Sequence, residues 1–198
     1  MWVVVNPSLP VTSMQELVAY ANANPGKISY ASAGNGSIHH LAMELFKAQT
    51  GIDVVHVPYK GSSQSTPALI AGDVQLAFTG FPAVSSAVKA GRLKVIGITT
   101  GRRSPLTPDV PTIAETVVPR FDVYDPFGFI GPANLPRDVA ERIQAAAIAA
   151  ARAPDVREKM MSVGLEPVEG SAEVFAASIR LDYEKYGGVA KQIGLKVQ

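Results

Sequence analysis

The stretch Tyr30–Phe46, YASAGNGSIHHLAMELF, indicates an α/β fold because it contains a strand end, a glycine-rich loop and a helix start in succession. An apolar run ends before the two glycines, and Leu41, Leu45 and Phe46 then recur at the spacing of one helical face. Ser37 stands where the N-cap of that helix is expected. A strand followed directly by a helix is the repeating unit of α/β proteins.

The same alternation continues on both sides of this stretch. Ser13 and Glu16 have the spacing of a capping box at the start of the first helix. The predicted strands are WVVVNP, KISYAS, DVVHVPY, DVQLAFTG and LKVIGITT, and the predicted helices between them are VTSMQELVAYANA, SIHHLAMELF, SSQSTPALIAG and PAVSSAVKAG. Strands that alternate with helices need crossover connections, so we expect a largely parallel sheet covered on both faces.

The pattern changes in the second half of the chain. Residues 101–120 contain prolines at 105, 108, 111 and 119, which predicts a long surface excursion with one short helix in TIAET. FDVYDPFGFIGP is expected to be extended, and three helical segments follow it, with LEPV between them as a predicted strand. Three helices with almost no sheet of their own must pack on something, so we expect this region to be incomplete by itself.

Composition narrows the class of protein. Of the 198 residues 47% are hydrophobic, and 18 basic and 17 acidic residues leave a formal net charge of +1. The basic residues are scattered, so no nucleic acid or anionic lipid partner is predicted. The absence of cysteine excludes disulfides and thiol chemistry. No apolar run reaches the roughly 18 residues of a membrane span, and no secretion signal is recognisable, so we expect a soluble globular protein.

Three predicted loops join a strand end to a helix start, which is where ligands of α/β sheets bind. In SAGNGS the two glycines allow close backbone approach, and the free N–H groups of the next helix favour a carboxylate or phosphate. In the next loop Tyr59, Lys60 and the following serines offer a positive charge and hydroxyl donors. Thr79 and Gly80 form the third loop. Each loop could also be a plain connection, but neighbouring donor-rich loops indicate a shared anion site.

Other chemistries remain alternatives for the opening stretch. A nucleotide-phosphate loop would place Gly-Lys-Ser/Thr where this chain has Ser37-Ile38, and a hydrolase elbow would need a glycine two residues after the serine. A metal site is the more serious alternative, because the only three histidines fall within 18 positions. His39 and His40 point about 100° apart on a helix, however, and cannot both ligate one ion without distortion. We therefore predict no metal or other cofactor, and expect a buried, hydrogen-bonded His40, a surface His39 and a strand His56.

The motifs together closely resemble those of a known family. SAGNGS with HLAMELF, HVPYKG, LIAGDVQ and DVPTIAE occur in order, and the resemblance covers practically the whole chain. The chain is thus similar to the solute receptors of tripartite tricarboxylate transporters, the Bug receptors. The resemblance implies an α/β fold of the periplasmic-binding-protein type II class. Residues 1–123 would form one complete ligand-binding lobe with a mostly parallel sheet, and residues 124–198 the mainly helical C-terminal part of a second, incomplete lobe.

The resemblance also implies a binder and not an enzyme, with a small carboxylate as ligand: a di- or tricarboxylate or an aromatic acid. The implied ligand-binding residues are Ser32, Ala33, Gly34, Asn35, Gly36, Ser37, His40, Tyr59, Lys60, Gly61, Thr79 and Gly80. Relatives often carry Asp-Asn where this chain has Thr79-Gly80, and Trp where it has Pro126. We therefore expect plain dicarboxylates or aromatic acids in preference to aspartate-like ligands.

Further expectations follow from the same resemblance. The implied location is periplasmic, and the implied partners are the membrane permease subunits of the transporter. Family members usually begin with a secretion signal and a longer N-terminal segment, so we expect this chain to be N-terminally truncated, to lack one side of the ligand cleft and to bind ligand weakly. Its apolar tail would then be a surface for a homodimer. A sensory or interaction module that keeps the fold without serving transport is the alternative function, and a metal-dependent enzyme is a third.

Overall fold

A computed structural model describes residues 1–195 of the protein as two compact units. The first unit contains Met1–Asp125 and the chain from Gly188 onward, and the second contains Pro126–Gly187. The strands are β1 (Trp2–Val5), β2 (Ser29–Ser32), β3 (Val55–Pro58), β4 (Leu76–Thr79) and β5 (Lys94–Ile98). The helices are α1 (Met14–Ala23), α2 (Ile38–Thr50), α3 (Ser62–Ala71), α4 (Phe81–Lys89), α5 (Ile113–Thr116), α6 (Arg137–Arg152), α7 (Pro154–Ser162) and α8 (Ala172–Gln192).

All five strands form one sheet in the first unit, in the order β3-β2-β4-β1-β5. β2 pairs in parallel with β3 and β4, whereas β1 runs antiparallel between β4 and β5. Four strands therefore share one direction, and the predicted mostly parallel α/β sheet is confirmed. The reversal of β1 was not predicted, because its Trp-Val-Val-Val sequence is buried on both faces and such a pattern does not encode strand direction.

Helices cover both faces of the sheet, as predicted. On one face Phe46 of α2 packs against Phe78 of β4 and, edge to face, against Phe121, with ring centroids 5.7 and 5.9 Å apart. On the other face Leu69 of α3 and Val84 of α4 belong to an apolar cluster with the central strands. Burying each such side chain contributes about 1.5–3 kcal/mol to stability. Packing on both faces therefore holds the strands in place, and with them the strand ends that carry the candidate site.

Local capping explains where the helices begin. The Ser13 hydroxyl accepts from the Glu16 N–H and caps α1, but the Glu16 carboxylate reaches one residue further back than a capping box requires, to the N–H and hydroxyl of Thr12. These two bonds, the backbone one foremost, lower the pKa of Glu16. A complete capping box forms instead at α5, between Thr112 and Glu115.

The second unit contains α6, α7 and most of α8. The predicted strand LEPV is wrong, since residues 165–168 form no strand. Gly164, with φ +85°, ends the preceding helical turn, Pro167 has no N–H for a ladder, and no other strand lies within the described residues of this unit. The three predicted helices are confirmed. The last three residues of the predicted region 124–198 lie outside the described residues.

Candidate functional site

The candidate site lies at the edge of the sheet where β2, β3 and β4 end. Because these strands are parallel, their carboxyl ends meet at one edge, with Ser32 paired in register with Pro58. Each strand is followed within a few residues by a helix, namely α2, α3 and α4. All twelve predicted ligand-binding residues belong to these strand ends, loops and first helical turns.

The loop between β2 and α2 folds around the carbonyl of Gly34. The N–H and the hydroxyl of Ser37 both donate to that carbonyl, at 3.1 and 2.7 Å, and the Gly34 N–H donates to Ser32 Oγ at 3.1 Å. Gly34 has φ +134°, and a Cβ there would lie 3.3 Å from the carbonyl oxygen of Tyr59. A side chain at this position would be strained by both the dihedral angle and the contact, so the glycine is required.

Backbone hydrogen bonds join this loop to the next one. The N–H of Tyr59 donates to Ser32 O and the N–H of Gly61 donates to Ala33 O, both at 3.1 Å. Gly61 has φ +91°, a backbone conformation that favours glycine. The N–H of Lys60 is held by Gln64 Oε1 at 3.2 Å, while the Lys60 side chain is exposed. The two donor-rich loops therefore form one connected surface.

Several backbone donors at this surface are not used within the described structure. Ser37 caps α2 by accepting from the His40 N–H at 3.3 Å. The N–H groups of Asn35, Ile38 and His39 have no acceptor in the part of the chain that the structure describes. The same holds for the first-turn N–H groups of Ser62, Ser63 and Phe81, at the starts of α3 and α4. Unpaired N–H groups at helix starts carry the positive end of the helix dipole and favour anions.

Behind the β2–α2 loop lies a stack of aromatic rings. The imidazoles of His40 and His56 are parallel, with centroids 3.9 Å apart and 8° between planes, and Tyr30 stacks on His56 at 4.8 Å. The Tyr30 hydroxyl donates to Glu44 Oε1 at 2.7 Å, and Lys47 Nζ donates to the same oxygen at 2.8 Å. The stack is thus fixed from the helix side by a charged pair.

Burial controls the protonation of these rings. It lowers the pKa of His40 against the opposing attraction of Glu44. Burial and then the neighbouring His40 lower the pKa of His56 to about 4. Burial and the hydrogen bond to Glu44 raise the pKa of Tyr30. Both histidines are therefore neutral near pH 7.

The histidine predictions have mixed outcomes. His40 is buried and hydrogen-bonded, and His56 lies in β3, as predicted. The predicted surface position of His39 is wrong: it is 7% exposed, and its Nε2 lies 3.5 Å from Asp125 Oδ2. The cause is a tertiary contact with a distant segment, which the helix sequence does not encode. Among residues 1–195 no three His, Cys, Asp or Glu side chains are placed to hold a metal ion.

Asp125 is the residue at this edge that sequence reasoning missed. Besides contacting His39, its carboxylate lies beside Gly80: a Cβ on that glycine would be 3.4 Å from Asp125 Oδ2. Gly80 is the N-cap of α4. Thr79 is 3% exposed, and its hydroxyl is enclosed without a partner in the described structure. The segment FDVYDPFGF carries two aspartates, Asp122 and Asp125, and nothing in the sequence indicates which of them returns to this edge.

Ser32 and His56 raise the question of nucleophilic catalysis, because Ser32 Oγ lies 2.6 Å from His56 Nε2. Ser32 is 1% exposed, however, and its hydroxyl is also within 3.1 Å of both the N–H and the carbonyl of Gly34. Glu44, the carboxylate nearest to the stack, is engaged by Tyr30 and Lys47. A buried hydroxyl without access to a substrate, and a histidine without an orienting carboxylate, do not make a nucleophile and its base.

The chain belongs to the tripartite tricarboxylate transporter family of receptors, whose family model matches residues 1–195. The UPF0065 protein in the tcbD-tcbE intergenic region of Pseudomonas sp. (strain P51) is 37% identical over 172 residues, which are 86% of this chain and 51% of that relative. Protein BugT of Bordetella pertussis is 30% identical over 203 residues, covering 98% of this chain and 60% of BugT. The chain thus spans about half to three fifths of these relatives.

Solved structures agree with this assignment. R. palustris Rpa4515, solved with adipate, superposes with a TM-score of 0.90 at 32% identity. The match covers 98% of this chain and 64% of the Rpa4515 chain. The periplasmic binding protein BugD superposes with a TM-score of 0.80 at 24% identity, which shows the shared fold. The periplasmic-binding-protein class predicted from the sequence is therefore confirmed. No helix in the described part of the chain is long and apolar enough to cross a membrane.

Proposed function

We propose that the chain belongs to an extracytoplasmic solute-binding receptor that captures a small carboxylate for a transporter of the tripartite tricarboxylate type. The observation that carries the proposal is the set of unpaired N–H donors at the starts of α2, α3 and α4, all at one sheet edge. The family assignment and the adipate in Rpa4515 support it. The proposed partners are the membrane permease subunits, and the proposed location is the periplasm.

The chemistry of the edge suits a carboxylate. Asn35, Ile38 and His39 would donate backbone N–H groups to one carboxylate, and Lys60 would add a positive charge from the neighbouring loop. Hydrogen bonds to a charged group contribute about 1.5–3 kcal/mol each. Three or four of them would reach the roughly −8 kcal/mol of micromolar binding only if ordering costs were small. A dicarboxylate without further donors is the simplest ligand that this donor set accommodates.

The individual roles that we propose differ among the predicted residues. Gly34, Gly36 and Gly61 shape the backbone, and Ser37 caps the helix that presents the donors. Ser32 and Ala33 hold the two loops together and would not touch the ligand directly. Tyr59 would contribute its half-buried ring to the site wall. Thr79 would donate its enclosed hydroxyl only after a local rearrangement, so it is the weakest of the twelve assignments.

The domain roles are also proposals. Residues 1–123 would serve as the ligand-binding lobe and 124–198 as the returning part of the other lobe. The division of the chain after Asp125 supports this boundary, whereas the return of the chain to the first unit at Gly188 was not predicted. Exposed side chains such as Phe129 and Ile130, 82% and 85% exposed, are compatible with a homodimer, which light scattering would test.

Calorimetric titration with two ligands of equal length tests the proposal. Adipate carries two carboxylates, and adipamide replaces them with neutral amides of similar shape. We expect heat of binding with adipate and none with adipamide, because the helix-start donors select for negative charge. Equal binding of the two compounds, or no binding of adipate at millimolar concentration, would contradict the proposal. A sensory module with the same fold would give the same ligand result and differ only in lacking a permease partner.

A further inference from the structure

We propose that His40 and His56 are positioning residues for the β2–α2 loop: two neutral imidazoles in opposite tautomers that act as hydrogen-bond acceptors and hold the loop in its donor-presenting shape. The inference rests on the proposed function, since the shape matters through the ligand. It concerns residues behind the loop, one of which, His56, was not among the predicted site residues.

The tautomer of His40 follows from its partner. The backbone N–H of Gly36 donates to His40 Nδ1 at 3.1 Å. A backbone N–H can only donate, so Nδ1 must be unprotonated and the ring proton must be on Nε2. Gly36 has φ +74°. Its N–H donates to the histidine and is therefore not one of the donors available to the ligand. His40 therefore fixes the direction of the loop just before the cap of α2.

The tautomer of His56 follows from counting donors around Gly34. Ser32 Oγ lies 2.6 Å from His56 Nε2 and 3.1 Å from Gly34 O, and it has one hydrogen to give. Gly34 O already accepts from the N–H and hydroxyl of Ser37, which fill its two lone pairs. The Ser32 hydroxyl therefore donates to His56 Nε2, which leaves the ring proton on Nδ1. Ser32 Oγ remains free to accept from the Gly34 N–H at 3.1 Å.

The stack makes the two acceptors one unit. Parallel rings 3.9 Å apart cannot both become cations without strong repulsion, and Tyr30 closes the far side of His56. The charged groups that face the pair are Glu44 and Lys47, which are paired with each other at 2.8 Å. Burial adds to the preference of both rings for the neutral form.

A histidine that gained a proton would become a donor where the loop also presents one. At His40, Nδ1–H would then oppose the Gly36 N–H. At His56, Nε2–H would turn the Ser32 hydroxyl toward a carbonyl that is already saturated. In either case the loop must leave its present shape, and with it the arrangement of the Asn35, Ile38 and His39 donors changes. The two unprotonated nitrogens, His40 Nδ1 and His56 Nε2, thus hold the β2–α2 loop in its present conformation.

Nitrogen-15 NMR of the full chain without ligand tests the tautomers first. Long-range proton–nitrogen correlation spectra near neutral pH should show His40 protonated only at Nε2 and His56 only at Nδ1. The opposite tautomer at either ring, or an imidazolium, would overturn the inference. This result is independent of ligand binding, so it stands or falls separately from the proposed function.

Paired substitutions then test the positioning role. His56→Gln keeps an acceptor near the position of Nε2, and His56→Phe keeps a stacking ring without an acceptor. We expect His56→Phe to weaken adipate binding about tenfold, the effect of losing roughly 1.4 kcal/mol, and His56→Gln to restore most of it. If wild type does not bind adipate, the amide shifts of Asn35 and Gly36 replace affinity as the readout, with the larger change expected for His56→Phe. Equal effects of the two substitutions, whether on affinity or on these shifts, would overturn the proposal even if both variants are less stable.

Discussion

The N–H of Gly61 donates to the carbonyl of Ala33 at 3.1 Å, so the loop after β3 is tied to the loop after β2 by main-chain atoms alone. A second bond of the same length, from the Tyr59 N–H to Ser32 O, continues the β2–β3 ladder into the loops. The two loops therefore form one surface whose shape depends on glycine conformations more than on side chains. Substitutions at those glycines should alter ligand binding without removing any ligand-contacting side chain.

Gly34→Ala should abolish most ligand binding. The substitution places a Cβ 3.3 Å from Tyr59 O at φ +134°, and strained backbone of this kind costs about 1–3 kcal/mol. We expect adipate affinity to fall about tenfold or more, together with a lower melting temperature. Gly51→Ala is the matched control, because Gly51 also has a positive φ, +73°, but a Cβ added there would have no atom within 4 Å. Gly51 lies at the C-terminal end of α2, away from the loop. An equal loss of affinity in the control would show that instability alone is responsible.

Lys60→Met should weaken adipate binding by about 1 kcal/mol, or roughly fivefold, because it removes a positive charge from the anion surface. The effect should shrink as salt is added, since the side chain is exposed and its charge is screened. Lys89→Met, in the last turn of α4 and away from the strand ends, is the charge-matched control. Salt titrations that leave the two variants indistinguishable would remove Lys60 from the proposed site.

Asp125→Asn should strengthen adipate binding. The Asp125 carboxylate lies beside Gly80, at the start of α4, and close to His39, at the start of α2. A negative charge close to two sets of anion donors opposes a ligand carboxylate by about 1 kcal/mol, the value for two charges about 4 Å apart with the screening of bulk water. We expect an affinity gain of roughly fivefold by calorimetry. Asp73→Asn, just before β4 at the opposite sheet edge, should change nothing; weaker binding by Asp125→Asn would mean that Asp125 accepts a hydrogen bond from the ligand.

Stability should fall when the pH falls below the ordinary histidine range. The pKa of His56 is lowered from 6.5 to about 4 in the folded protein, so the unfolded chain binds more protons between these values. The stabilisation from the neutral ring is complete above about pH 6.5 and is lost as the pH falls toward 4. The free energy of unfolding in urea, measured across this window, should decrease for wild type and decrease less for His56→Phe. Identical pH profiles would contradict the assigned protonation.

The sequence contains the local features of the site but not its long-range contacts. Ser37 at a helix start and glycines at positive φ are determined by neighbouring residues, so a short stretch suffices to predict them. His39 was expected at the surface, but it is buried and contacts Asp125, 86 positions away along the chain. The helix sequence around His39 does not encode such a contact. The direction of β1 depends likewise on pairing with β4 and β5, which a run of valines does not specify.

The LEPV segment was predicted as a strand from its local sequence, but it forms none. Its apolar and β-branched ends have the local character of a strand, but a strand exists only where another strand can pair with it. The described part of the second unit supplies none, so the four residues remain irregular. Asp125 was overlooked for a related reason: nothing in FDVYDPFG indicates that this aspartate returns to the start of α2.

Amide chemical-shift mapping with adipate shows whether the N–H groups at the starts of α2 and α3 hold the ligand carboxylate. Titration of nitrogen-15-labelled protein, followed by proton–nitrogen correlation spectra, detects even millimolar binding and identifies the donors that are used. We expect progressive shifts of the Asn35, Ile38 and His39 amides, with smaller changes at Ser62 and Ser63, and none of these with adipamide. Shifts confined to residues away from the carboxyl ends of β2, β3 and β4, or unchanged spectra at saturating adipate, would contradict it.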